Sequence, residues 1–189
     1  KLSHFGAESV VENISVYITD NFQQLIENAD GKQVKFAIMK ELKRVLNIKA
    51  EELDCKLGDL ASTLLLVAVC EDKYIIVHIG DGVIGYLDGS ELKIASSPDN
   101  GEFANVTTFI TSNEALVSMR LFKGNIKEIS GFVIMSDGTE QSLYHKPTKT
   151  LSKATIKLMH RTCLTSGDIM RSQLAETLTS VISKNTQDD

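Results

Sequence analysis

The hydrophobic period of this chain changes twice, and the order of those changes constrains the fold more than any other feature. From Ala7 to Asn28 the apolar residues Val10, Val11, Ile14, Ile18, Phe22, Leu25 and Ile26 recur mainly at intervals of three and four, which places them on one helical face. Val34, Ile38, Leu42, Val45 and Leu46 repeat the pattern, with Lys35, Lys40, Glu41, Lys43 and Arg44 elsewhere on the surface. Asn28-Ala29-Asp30-Gly31 separates the two helices, Gly31 being the residue expected to take the left-handed conformation that stops the first. Two adjacent amphipathic helices suggest an antiparallel pair laid over something flat.

Beyond the polar connection Asp54 to Asp59 the period becomes that of strands. Thr63 to Val69 is a continuous apolar run, Glu71-Asp72-Lys73 a short turn, and Tyr74 to Ile79 the answering strand. Gly80-Asp81-Gly82 reads as the next turn, followed by Val83 to Leu87, Asp88-Gly89 and Leu92 to Ala95, so the middle of the chain reads as an antiparallel meander. Thr107 to Thr111 and Ala115 to Phe122 read as further strands, with Gly124-Asn125 as a turn. Phe132 to Met135 is too short for a helix and suits a strand buried on both faces, broken by Ser136-Asp137-Gly138. Gln141 to Tyr144 begins a short helical or irregular segment ended by Pro147. The remainder is helical, most clearly from Asp168 to Lys184, with Ser166 as N-cap and Ile169, Leu174, Leu178, Val181 and Ile182 as the buried face. Helices, then antiparallel strands, then helices indicate an α+β fold and exclude the alternation of a doubly wound one; two sheets between helix layers would accommodate the order.

Composition narrows the partners. The 189 residues, 42% hydrophobic, can build one sizeable core, and with only Pro98 and Pro147 and no Gly/Ser-rich stretch there is no linker, so residues 1–189 read as a single domain. A net charge of -5 with acids and bases interleaved lacks the basic stripe of a nucleic-acid binder. Cys55, Cys70 and Cys163 are too scattered for a disulfide framework or a zinc site, which makes a reducing cytoplasm the simplest compartment. The longest apolar run, Leu64 to Cys70, is far short of the ~20 residues that span a bilayer.

Chemistry concentrates in three acidic turns, Gly80-Asp81-Gly82, Ser136-Asp137-Gly138 and Thr186-Gln187-Asp188-Asp189. Each sets a short carboxylate at the exit of an element, and several converging on one edge would hold Mg²⁺ or Mn²⁺. Taken singly each is ordinary turn chemistry, Asp81 most of all. His78 shares a strand face with Tyr74 and Ile76 and reads as a satisfied core or site-edge residue rather than a general base. No nucleophile elbow, Walker loop or dinucleotide fingerprint occurs. The polar loop Ser97 to Asn105 is long enough to border a site, whereas the basic residues His145, Lys146 and Lys149 around Pro147 read as a solvated turn.

The order and motifs together resemble the metal-dependent protein phosphatases of the 2C type, in particular their compact bacterial branch. The resemblance rests on Leu60-Ala61-Ser62-Thr63-Leu64-Leu65, His78-Ile79-Gly80-Asp81-Gly82, Ser97 to Asn105, Met135-Ser136-Asp137-Gly138-Thr139 and the terminal Asp188-Asp189, in family order over nearly the whole chain. It implies a four-layer α/β/β/α sandwich, two antiparallel sheets flanked by helix pairs. It also implies hydrolysis of phosphoserine or phosphothreonine in protein substrates by a metal-activated water at a centre of two Mn²⁺ or Mg²⁺ ions, with no enzyme nucleophile. Asp137 and Asp188 carry over as metal ligands, and Asp81, Gly138 and Asp189 as supporting residues. The family's bridging Asp-Gly pair, an early acid and the phosphate-binding Arg precede its first long helix, where this chain starts, and a final strand follows where it stops. The domain is therefore expected to be incomplete at both ends, with weak or no metal binding and little activity for these residues alone. The alternative is a catalytically silent relative that binds a partner or phosphoprotein.

Overall fold

The computed structural model describes residues 2–98, 107–138, 143–145, 148–162 and 164–182. They form two compact units, residues 1–81 with 99–126 and residues 82–98 with 127–189.

The first unit opens with α1, Ser3–Glu27, and α2, Gly31–Glu52. The apolar stripe does what its spacing predicts: Val10, Ile14, Ile18, Phe22 and Leu25 of α1 and Val34, Ile38, Leu42 and Leu46 of α2 are buried in one cluster. Val11, one residue off the stripe and so rotated about 100° from it, is 64% exposed rather than buried. The helix break also differs from expectation. Gly31 is the first residue of α2; Asp30 caps that helix by accepting from the Lys32 and Gln33 backbone N–H groups, at 2.9 and 3.3 Å. At the end of α1, three carbonyls left without intrahelical partners, those of Leu25, Ile26 and Asn28, converge on the ammonium of Lys123.

A 3₁₀ turn, Leu57–Leu60, leads into β1, Leu64–Cys70, and then β2, Lys73–Ile79. The first sheet has the order β1-β2-β5, where β5 is Arg120–Asn125, and all its pairs are antiparallel. Leu64, Leu66 and Ala68 of β1, Ile75, Val77 and Ile79 of β2, and Leu121 of β5 face the helices, as the two-residue period of strands requires. Tyr74, Ile76, His78 and Arg120 therefore occupy the other face. Two expectations fail between 107 and 125. Residues 107–114 are irregular and turn, and Ala115–Ser118 is a single helical turn, α3, in which Ala115 is buried and Val117 is 85% exposed, so the density of apolar residues alone misled. Gly124-Asn125 closes β5 instead of turning, with Gly124 opposite the ring of Tyr74.

The second unit holds β3, Val83–Asp88, β4, Glu91–Ser96, and β6, Ile129–Met135, in the antiparallel order β4-β3-β6. The middle of the chain is thus not one meander: β2 and β3 lie in different sheets, and Gly80-Asp81-Gly82 is a crossover where a hairpin was expected. Ile134 of β6 is 46% exposed, so the strand is not buried on both faces. The short strands β7, Tyr144–His145, and β8, Thr150–Leu151, pair with each other. The helices α4, Lys153–Thr162, and α5, Gly167–Thr177, follow, the latter ending in a π turn, Leu178–Ile182. Val83, Met135 and Tyr144 form this unit's buried cluster, against which Ile94, Val133, Leu143 and Leu151 pack. Ser166 stands at the N-cap of α5 without a capping hydrogen bond. On α5 Met170 is buried and Leu174, one turn further and among the expected residues, is half-buried, while Ile169 is 54% exposed and Leu178 is exposed; the side chains of Val181 and Ile182 lie outside the described residues. The architecture is α+β, two antiparallel sheets with helices. Among the described residues no helix is long and apolar enough to cross a membrane.

Candidate functional site

Asp137 stands two residues beyond the end of β6, and residues 137–138 already have helical backbone. Its carboxylate is exposed and accepts the Gly138 N–H at 3.0 Å, so a buried strand hands a solvated acid to a locally fixed turn. In the β3–β6 pair Val83 is the register partner of Met135. Gly82, entering β3, and Ser136, leaving β6, therefore lie at the same end of that pair, with Asp137 following Ser136.

The turn before β3 is fixed more elaborately than an ordinary connection. Gly80 has φ +117°, a conformation essentially reserved for glycine, and a Cβ there would stand 2.5 Å from Thr63 Cγ2. Asp81, half-buried, accepts a short hydrogen bond from the Thr107 hydroxyl. From the facing strand Arg120 Nη2 donates to the Gly80 carbonyl at 3.2 Å and lies 3.2 Å from His78 Nε2. Burial pushes the fully enclosed His78 imidazole down to about 3, the Arg120 guanidinium adds to that, and a hydrogen bond with the Gly80 backbone pulls the other way. His78 is therefore neutral at physiological pH, in keeping with a satisfied core residue and not a general base.

Asp188 and Asp189 lie outside the described residues, as does the loop from Asp99 onward together with Lys146, Pro147 and Cys163. Cys55 and Cys70 are free thiols. His145 is exposed and hydrogen-bonds Thr148 through Nδ1 at 2.7 Å, which fits a solvated turn. Sequence reasoning missed Thr107 and Arg120. Nothing local marks either: Arg120 meets His78 only through the β2–β5 register, and Thr107 lies in a stretch read as a strand. Among the described residues no three His, Cys, Asp or Glu side chains come together as a metal-binding group. An apolar cavity of about 310 Å³ between β6 and α4–α5 has no titratable residue in its described lining and stands apart from this chemistry.

A family model described as Protein phosphatase 2C matches residues 1–179. The chain belongs to the protein phosphatase 2C family. Serine/threonine-protein phosphatase 3 of Escherichia coli K12 is 29% identical over 102 residues, covering 53% of this chain and 39% of that protein. A crystal structure of a bacterial serine phosphatase matches at 14% identity with a TM-score of 0.55, covering 86% of this chain and 68% of that one. A variant of a bacterial serine phosphatase carrying an arginine substitution matches at 16% and 0.54, over 86% of this chain and 65% of that one. The chain thus spans about two fifths of its curated relative and about two thirds of these solved structures. The structural likenesses bear on fold: this protein phosphatase 2C chain shares their mixture of helices and two antiparallel sheets.

Proposed function

We propose that this chain is part of a protein serine/threonine phosphatase that hydrolyses phosphoserine and phosphothreonine monoesters in protein substrates. The observation that carries the reading is the family match across residues 1–179. Mn²⁺ or Mg²⁺ is the proposed cofactor, two ions in the complete site, with Asp137 and Asp188 as ligands and Asp81, Gly138 and Asp189 in support. Oxygen donors of this kind suit such hard cations. The described residues alone do not fit a two-ion centre, since Asp137 is not joined by two further ligands among them. Their contribution is a carboxylate at the end of a strand, beside the chain's entry to β3. A reducing cytoplasm is the proposed compartment, supported by the free Cys55 and Cys70.

One observation favours the second reading, a catalytically silent relative that binds phosphoprotein: the Asp137 carboxylate is engaged by its own neighbour's N–H, as in a plain turn. Mn²⁺-dependent hydrolysis of a phosphopeptide by the full-length parent protein, wild type and Asp137→Ala, separates the two. Turnover lost in the variant supports the phosphatase, undiminished turnover removes Asp137 from the site, and phosphopeptide binding without turnover by the wild type supports the silent relative.

A further inference from the structure

Arg120 opens β5, and His78 is its register partner on β2. A guanidinium can only donate, so the His78 Nε2 that faces it at 3.2 Å is an unprotonated acceptor, and the neutral ring carries its proton on Nδ1. The same Nη2 reaches the Gly80 carbonyl. Thr63 closes the space beside Gly80, and Thr107 holds the carboxylate of the next residue. The lead-in to β1, the start of β5 and the segment at 107 thus all act on two residues just before the chain crosses to the second sheet. The Asp88–Gly89 turn provides the contrast: Gly89 has φ +58° and open space where a Cβ would stand. A connection between strands does not require what surrounds Gly80.

We propose that Arg120 is a positioning residue: seated on neutral His78, it fixes the Gly80 peptide and with it the direction in which Asp81 presents its carboxylate. Its effect on turnover rests on the phosphatase reading; its effect on the turn does not. The fork of donors on arginine serves two acceptors at once, which a lysine ammonium does less well. A glutamine at 78 keeps an acceptor that a leucine removes.

The test uses the full-length parent protein with Arg120→Met, Arg120→Lys, His78→Gln and His78→Leu, read by amide hydrogen exchange and by Mn²⁺-supported phosphopeptide kinetics. In Arg120→Met, exchange at Gly80, Asp81 and Gly82 accelerates about tenfold more than at Ile75 to Val77 in the preceding strand, β2, with Arg120→Lys intermediate and covering the case in which the Met variant does not fold. kcat falls about tenfold at unchanged KM, as expected of a misplaced site group. His78→Gln stays near the wild type in both readouts, whereas His78→Leu follows Arg120→Met. Exchange that rises equally at the turn and in the strand reduces Arg120 to a structural residue and overturns the proposal. So does His78→Gln as damaging as His78→Leu. If the wild type shows no turnover, the phosphatase reading falls, and the exchange data still decide the role of Arg120.

Discussion

The Arg120 guanidinium stands 3.2 Å from the Nε2 of His78, an imidazole that is fully enclosed and held neutral. This arrangement sets a pH dependence. His78 titrates near 6.5 when unfolded and at about 3 in the fold, so between those values the unfolded chain binds a proton that the native state refuses. The contribution is complete above the unfolded value and is lost as pH falls toward the folded one. From pH 7 to pH 5 the loss is about 2 kcal/mol, at roughly 1.4 kcal/mol per pH unit below the unfolded pKa. Urea denaturation at both pH values should show the wild type losing that much more than His78→Gln; equal losses would contradict the assignment.

Lys123 is expected to matter to stability more than any surface lysine. Its ammonium donates to the carbonyls of Leu25, Ile26 and Asn28 at 3.0, 3.4 and 2.5 Å, where the negative end of the α1 dipole emerges. Lys123→Met keeps the apolar stem and removes the charged donor, at a cost of about 1–3 kcal/mol. Lys93, paired with Asp88 at 2.6 Å on the surface, is the control, because exposed pairs contribute little. Chemical denaturation of Lys123→Met and Lys93→Met should separate the two clearly, and comparable midpoints would refute the capping role.

Gly6 should behave against the usual helix rule. Replacing a helix-interior glycine by alanine ordinarily stabilises by about 1 kcal/mol. Here a Cβ would lie 2.2 Å from the Leu60 carbonyl oxygen, a backbone atom that cannot swing aside. The clash outweighs the propensity gain and α1 is pushed off the 3₁₀ turn, so Gly6→Ala should destabilise by about 1–3 kcal/mol, in the range of overpacked cores. A raised melting temperature for this variant would contradict the close approach.

Much of the fold was legible because the signals were local and long. The apolar stripes from Val10 to Ile26 and from Val34 to Leu46 located both opening helices, and the run ending at Met135 located the strand that delivers Asp137. What failed was whatever depends on partners distant in sequence. Gly80-Asp81-Gly82 has the composition of a hairpin turn, and nothing within it says that β2 and β3 belong to different sheets. The exposure of Ile134 depends on what covers that face of its sheet, which its own residues do not encode. Arg120 became visible only once β5 was registered on β2, for a lone arginine at a strand start has no periodic signature. The metal-ligand assignments are of the same kind: Asp137 is placed by its strand, but a ligand set is a property of several elements at once.

The central claim, that Asp137 is a ligand in a phosphatase site, is tested most directly by Mn²⁺-dependent turnover of a phosphothreonine peptide by the full-length protein, wild type and Asp137→Ala, with folding checked in parallel by denaturation. Because Asp137 is exposed and bonded only to its neighbour's N–H among its described hydrogen bonds, its removal should leave stability within about 0.5 kcal/mol. The account predicts wild-type turnover that falls by roughly 10²-fold or more in the variant at unchanged stability, the scale of losing one group that stabilises transition-state charge. A variant that turns over as fast as the wild type would contradict it.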